Sequence, residues 1–390
     1  MSNIWPTHGG RLAPLLARFG LPPGHAVLDF SANINPLGPP EWLGGWLADA
    51  AVGLARYPDP DDQCAEWAIA EHSGVSPEQV LVTNGGIEAI FLAAALHGGK
   101  RAVIITPTFA EYAQACGHYG LEVATLGLEA GPDAGHSAPV ALNLEAAERA
   151  MQGAAVMFIC RPNNPTGSLV SRADIERLLQ CAERHGATLV VDEAFIDFAS
   201  SEANDTASEA LTGLLARYSN LILLRSLTKF YAVPGLRLGY LLASEDNRRR
   251  AARLQMAWSV NGLAKGLVAP LLADSDYAAR TRAWLEAERD FPARLAALGF
   301  TVPKNHANFY LLGEVEHQQG GVGSAESTEA LMGFLMQRGI VARHTHSFAG
   351  LDGRWLRLAL CEPAANQRLF EALVDWRNER LGQYERRGQR

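Results

Sequence analysis

Lysine is scarce in this 390-residue chain: four residues, at 100, 229, 265 and 304, stand among 34 basic side chains. Any chemistry that needs a nucleophilic amine therefore has few candidates. Cysteine is also thin. Positions 64, 116, 160, 181 and 361 are odd in number, widely spread and free of a Cys-x-x-Cys pair, which argues against a disulfide framework or a zinc cluster and leaves them as buried small hydrophobes. No metal is expected. Charged residues are 19% of the chain, the net charge is −8 and there is no basic stripe, so nucleic acid is not an expected partner and an anionic substrate would need a local cluster of cations. No apolar run nears the roughly 20 residues of a membrane span. The segment from Met1 to Gly10 lacks the basic start and apolar core of a secretory signal, so the cytoplasm is the expected location. No internal repeat is visible.

Hydrophobic residues make up 48%, and the length exceeds what a single core usually supports, so two unequal domains are expected. Residues 1–40 are rich in Gly and Pro and end in the run from Asp29 to Pro40, an extended segment with little regular structure. Between 41 and 275, apolar runs at Val80 to Thr83, Ala102 to Thr106, Val156 to Cys160, Thr188 to Val191 and Leu221 to Leu224 alternate with helical patterns. That alternation predicts an α/β unit with a mostly parallel sheet covered by helices on both faces. From 276 the pattern becomes a charged amphipathic stretch, Tyr277 to Leu298, then a strand-like run from Ala307 to Leu312, a Gly-rich loop around 313–325, helix, strand and helix. The expected division is a large domain over 41–275 and a smaller α+β domain built from 1–40 plus 276–390. The loop reads as a mobile surface connection, and the tail after Arg377 as a frayed helix end.

Chemistry gathers where strands end. Lys229 lies in Ser226-Leu-Thr-Lys229-Phe-Tyr-Ala-Val-Pro-Gly-Leu-Arg237, directly after an apolar run; an amine held beside hydroxyls and a cation can be deprotonated and form a Schiff base. Asp192 closes the run Thr188 to Val191 at the sheet's carboxyl edge, where ligands of open α/β sheets bind. Paired with the ring nitrogen of pyridoxal phosphate, its carboxylate would keep the ring protonated as an electron sink. Asn164, in Asn163-Asn164-Pro165-Thr166-Gly167, could donate to that cofactor's phenolic oxygen. The amides of Gly85, Gly86 and Ile87 open a helix after Asn84 and form a ready phosphate site, which Ser226, Thr228 and Arg237 would close. Phe109 or Tyr112 could stack on the cofactor ring. Taken singly, each feature also fits a bland role: an exposed turn for Lys229, a helix cap for Asp192, an ordinary turn at Asn164-Pro165.

In identity, order and spacing, Asn164, Asp192, Lys229 and Arg237 resemble the fold-type I pyridoxal-phosphate enzymes of the class I and II aminotransferase superfamily, over about residues 28 to 365. The resemblance implies the fold-type I transferase architecture, pyridoxal 5'-phosphate as cofactor, and a homodimer in which Tyr57 reaches the neighbour's cofactor phosphate. Within the superfamily the chain is similar to the branch of histidinol-phosphate aminotransferases and the threonine-phosphate decarboxylases of cobalamin synthesis. His8-Gly9-Gly10, the run from Leu28 to Gly38, Asp192 to Phe198 and Lys229 to Gly235 follow the decarboxylase wording, and Phe195 stands where the aminotransferases typically carry tyrosine. Arg343 and Arg357 look like that family's substrate-anion clamp, helped by His8 and Asn33. The implied reaction is decarboxylation of L-threonine O-3-phosphate, a small phosphorylated amino acid, to (R)-1-amino-2-propanol O-2-phosphate, with Lys229 and Asp192 catalytic; histidinol-phosphate transamination is the alternative. A non-catalytic sensor of the same cofactor would add an N-terminal DNA-binding module, for which the first 40 residues are too few and too irregular.

Overall fold

The computed structural model describes residues 5–59, 63–131, 139–199, 210–314 and 323–388, with side chains to residue 380. Most of the Gly-rich loop expected around 313–325 and the side chains of the tail from Arg386 on lie outside the described residues. A seven-stranded sheet forms the centre, from β1 (Val80–Asn84), β2 (Arg101–Thr106), β3 (Glu122–Gly127), β4 (Val156–Cys160), β5 (Thr188–Asp192), β6 (Leu221–Ser226) and β7 (Leu238–Ala243). Their spatial order is β1-β7-β6-β5-β4-β2-β3. All pairings are parallel except those of β7, which runs against both β1 and β6.

The side chains of every strand but β3 divide between two cores. Val80, Val82, Val103, Ile105, Met157, Ile159, Leu189, Val191, Leu221 and Leu223 enter one cluster; Leu81, Ala102, Ile104, Val156, Phe158, Val190, Ile222 and Leu224 enter the other. Period-two alternation with both faces buried explains why these strands read as continuous apolar runs rather than as alternating ones. The first core also takes apolar side chains from helices Cys64–Ser73, Leu144–Met151, Arg172–Arg184 and Gly262–Ala273. The second takes them from Gly85–Ala95 and Glu111–His118.

A four-stranded antiparallel sheet follows in the chain, ordered Phe300–Thr301, Phe309–Glu314, Leu356–Ala359, Arg343–His344. Leu28–Asp29 pairs in parallel with Ile340–Val341, and the Ala359 amide donates to the Phe30 carbonyl at 2.8 Å, so the N-terminal segment is joined to the last third of the chain. Asn35 faces the other way: its side-chain amide donates to the Phe230 carbonyl, to the Tyr277 hydroxyl and to Thr281 Oγ1.

Three expectations are corrected. The first 40 residues contain a helix, Leu12–Arg18, with Leu15 and Leu16 buried; its seven residues are too short for a clear periodic signal. The amphipathic stretch from Tyr277 to Leu298 is two helices, Ser275–Glu288 and Phe291–Ala297, because Pro292 has no amide to continue the first and its fixed φ suits the first turn of a new one. Cys64 is exposed and Cys361 half-buried, whereas Cys116, Cys160 and Cys181 are buried. No described helix is long and apolar enough to cross a membrane.

Candidate active site

Strand direction places the chemistry. Strands β1, β2, β4, β5 and β6 all end at one edge, and antiparallel β7 begins there, so Arg237 just before β7 meets residues that follow the other strands. Cross-strand register makes this concrete: Leu238 lies opposite Asn84, Gly239 opposite both Thr83 and Ser226, and Cys160 opposite Asp192.

At the β1, β6 and β7 ends the backbone forms a cradle. Gly85 has φ +72°, and a Cβ there would lie 2.7 Å from Arg237 Nη2. A Cβ on Gly239 would lie 2.7 Å from both the Gly85 carbonyl carbon and the Gly86 amide nitrogen. The helix Gly85–Ala95 starts here without a side-chain cap, so its first amides, Gly85, Gly86 and Ile87, are open to an anion. Ser226 and Thr228 are buried, with hydroxyls 2.8 Å apart. Arg237 itself sits at φ +56°, left-handed backbone that costs a non-glycine residue about 1–3 kcal/mol and is kept only where the surroundings enforce it. Since backbone cannot yield at Gly239, Gly239→Ala is expected to cost about 1–3 kcal/mol by overpacking and to weaken cofactor affinity by about tenfold or more. Equilibrium dialysis of the purified variant measures this.

Asp192, at the end of β5, is buried and bears no ion pair among the described residues. The Tyr112 hydroxyl donates to its Oδ2 at 2.7 Å and the Ala194 amide to its Oδ1 at 2.9 Å. Burial raises its pKa, while these two bonds and the Lys229 charge pull it back. Tyr112 is itself buried, its ring stacked on Phe158 with centroids 5.7 Å apart. This changes the expectation for Tyr112: its ring belongs to the core and its hydroxyl orients Asp192. Phe109 is the half-buried member of that aromatic pair. Behind Asp192, Glu193 is held between Arg161 at 2.9 Å and Arg225 at 2.6 Å, tying together the ends of β4, β5 and β6. Glu193 was missed in the sequence, although its place beside Asp192 was a signal.

Lys229 is half-buried on the one-turn helix Leu227–Phe230. Its pKa falls to about 8, first through burial and then through the Arg237 and Arg357 charges, against the opposing pull of Asp192. Arg357 is buried: Nη1 donates to Asn164 Oδ1 at 2.5 Å, Nη2 donates to the Ser31 carbonyl at 2.6 Å, and Nε has no partner. No carboxylate pairs with it among the described residues, and burial lowers its pKa to about 9. Asn164 thus turns its oxygen to Arg357, leaving its amide nitrogen as the donor. Asn33 is buried nearby in the chain, with both amide atoms unpartnered.

Arg343 differs from the expectation of a free anion clamp. Its Nη1 donates to the carbonyls of Pro6 and His344 at 2.8 and 2.7 Å, and its Nη2 to the Thr7 carbonyl and Ser347 Oγ, both at 2.6 Å. All four terminal N–H groups are occupied, three of them by main-chain carbonyls. His8 pairs with Glu111 at 3.1 Å. Tyr57 is not brought into this group: it is 81% exposed, its ring 5.1 Å from that of Trp258. A cavity of about 470 Å³ lined by Asp197, Leu227, Phe230, Tyr231 and Arg282 shares the Lys229 helix but none of the side chains above.

A half-buried lysine of lowered pKa, a buried carboxylate with no ion pair among the described residues and a glycine cradle beside an arginine meet the needs of one cofactor, and comparison agrees. The chain belongs to the aminotransferase class I and II family, whose sequence model matches residues 25–373; this family is pyridoxal-phosphate dependent and has the fold-type I architecture. Among curated proteins the chain is 37% identical to a threonine-phosphate decarboxylase of Salmonella typhimurium, covering 94% of this chain and 95% of that one. Among solved structures it resembles the L-threonine-O-3-phosphate decarboxylase of Porphyromonas gingivalis (TM-score 0.72, 28% identity, 89% of this chain and 98% of that one). It also resembles the histidinol-phosphate aminotransferase of Clostridium acetobutylicum (TM-score 0.79, 28% identity, 90% and 100%).

Proposed function

We propose that the chain is a pyridoxal-phosphate-dependent carboxy-lyase that converts L-threonine O-3-phosphate to (R)-1-amino-2-propanol O-2-phosphate for cobalamin synthesis. The observation that carries this reading is Arg357, a buried cation that no carboxylate pairs directly among the described residues, bonded to Asn164 within the group that includes Lys229 and Asp192. A buried cation left without an ion-pair partner is costly, and a ligand's anion would offset that cost. A carboxylate is the matching ligand, since its two oxygens suit a guanidinium.

When bound, pyridoxal phosphate supplies an electron sink for the charge left on the α carbon. The chain's residues do the rest. Gly85, Gly86, Ile87, Ser226, Thr228 and Arg237 would hold the cofactor phosphate, Asp192 would face the ring nitrogen, Asn164 would donate to the phenolic oxygen and Phe109 would cover the ring. Arg357 would orient the substrate carboxylate, so that the carbon–carbon bond to it breaks and carbon dioxide leaves with the bond's electrons retained on the α carbon. Lys229, lowered toward neutrality, would carry the proton that takes its place. Phe195, packed edge-on against Phe309 at 5.0 Å, brings no hydroxyl to the site, which favours the decarboxylase over the aminotransferase reading. We read the enzyme as a cytoplasmic homodimer. The exposed Tyr57 is then free to meet a neighbour, and residues 1–40 group with 276–390 around the domain of 41–275, as the pairing of Leu28–Asp29 with Ile340–Val341 supports.

The deciding experiment is carbon dioxide release from cofactor-loaded protein given L-threonine O-3-phosphate without an oxo acid. Glutamate formed from histidinol phosphate and 2-oxoglutarate, with no carbon dioxide released, would make it an aminotransferase. Within the decarboxylase reading, Arg357→Ala is expected to raise KM for the phosphorylated substrate by tenfold or more, on the order of one charge-assisted bond at about 1.5–3 kcal/mol. Steady-state kinetics on the folded variant test this, and an unchanged KM would move the carboxylate site elsewhere.

A further inference from the structure

Residues 5–10 form a strap fastened at several points. Trp5 lies between the Arg18 guanidinium, 4.0 Å from its ring centroid, and the His344 imidazole, stacked at 4.1 Å. Arg343 then holds the carbonyls of Pro6 and Thr7. Gly9 lies so close to Ser31 that a Cβ would overlap the Ser31 carbonyl, and the Gly10 amide donates to Ser31 Oγ at 2.8 Å. That same Ser31 carbonyl accepts from Arg357.

These contacts close into a ring around the site. Arg357 bonds Asn164; the neighbouring Asn163 donates to the Pro107 carbonyl at 3.0 Å. Pro107 leads to Phe109 and Glu111, Glu111 pairs with His8, and the strap returns to Ser31 and Arg357. The His8 ring lies 6.3 Å from that of Phe109. Glu111 Oε1 meets His8 Nε2, while Oε2 is buried without a partner. Burial raises the Glu111 pKa, opposed by the His8 and Arg343 charges.

A carboxylate at this position poses an electrostatic problem, because it would repel an anionic substrate unless its charge is spent on a cation. Arg343 is a nearby cation whose charge acts on Glu111, and His8 Nε2 is the carboxylate's direct partner at 3.1 Å. Resting on the decarboxylase reading above, we propose that Glu111 is a positioning residue for the substrate's phosphate: it fixes His8, and the strap with it, at the site so that the His8 ring is presented to the phosphate. Arg343 serves the same end by holding the strap's carbonyls. Selection of a phosphorylated substrate then depends on a residue that never touches it.

The test is a double-mutant cycle in cofactor-loaded protein, with Glu111→Gln, His8→Ala and the pair, read in two ways. One is calorimetric binding of 3-phosphoglycerate, which carries a carboxylate and a phosphate but no amine to react with the cofactor. The other is KM and kcat for L-threonine O-3-phosphate. Each single variant is expected to weaken 3-phosphoglycerate binding about tenfold and to raise KM equally, with kcat changed less than about threefold. Adding Glu111→Gln to His8→Ala should change neither value further. Multiplicative effects, an unchanged affinity in either single variant, or no binding to the unmutated enzyme would overturn the proposal. If Glu111→Gln fails to fold, His8→Ala, whose side chain is half-exposed, still decides by its tenfold loss or its absence. Coupled loss of 3-phosphoglycerate binding without any carbon dioxide release would retain this inference and reject the decarboxylase reading.

Discussion

Lys229→Ala is expected to abolish turnover, by at least about 10⁴-fold, while the protein folds and still binds pyridoxal phosphate non-covalently. The substitution removes both the amine that captures the cofactor and the group that returns the proton, and a positioned acid or base alone accounts for about 10²–10⁴. Borohydride treatment followed by mass measurement of the chain should find the reduced adduct in the parent and none in the variant. An adduct retained by the variant would move the reactive amine to Lys100, Lys265 or Lys304. The environment adds a pH signature. Because burial and the Arg237 and Arg357 charges bring Lys229 down to about 8, the free amine gains tenfold per pH unit below that value and saturates above it. Covalent capture by the cofactor-free protein should follow the same curve. A lysine in the ordinary range would still be climbing at pH 9.

Asp192→Ala is expected to keep the cofactor bound but to lower turnover by about 10²- to 10⁴-fold. Removing one partner of a buried charge pair costs about 3–5 kcal/mol, and each 1.36 kcal/mol is tenfold in rate. The wild-type carboxylate is fixed by the Tyr112 hydroxyl and the Ala194 amide, so its charge is aimed rather than merely nearby. Near-normal kcat in the variant would show that the ring nitrogen does not depend on this carboxylate.

The five strands read from apolar runs are β1, β2, β4, β5 and β6, each buried on both faces, where composition alone marks a strand. The chemistry at their ends was legible for the same reason, since a polar residue directly after such a run must emerge at the sheet edge. Strand β3 was silent because four of its six residues are exposed and it carries no apolar run. The place of β7 between β1 and β6 was equally hidden, because nothing in Leu238 to Ala243 says which neighbours it will pair with. Partner choice was illegible throughout. Tyr112 could be read as an aromatic near the site, but its bond to Asp192 spans 80 residues. Arg343 could be read as a cation, yet its bonds to Pro6 and Thr7 span more than 300. Local sequence reports what a side chain is able to do; distant chain decides what it is given to do.

The reversed direction of β7 also sets a timetable. It is the last of the seven strands to leave the ribosome, and it inserts between β1 and β6, whose pairing partners on that side it supplies. Until about residue 243 has emerged, Gly85, Ser226 and Arg237 cannot converge, and the nascent chain has no cradle to offer a phosphate. Coenzyme can therefore be gripped only by a chain whose central sheet is closed. Every bound molecule then draws on the folded population alone, adding about 2.7 kcal/mol to its stability at a hundredfold excess over Kd, so vitamin supply and protein lifetime become linked quantities.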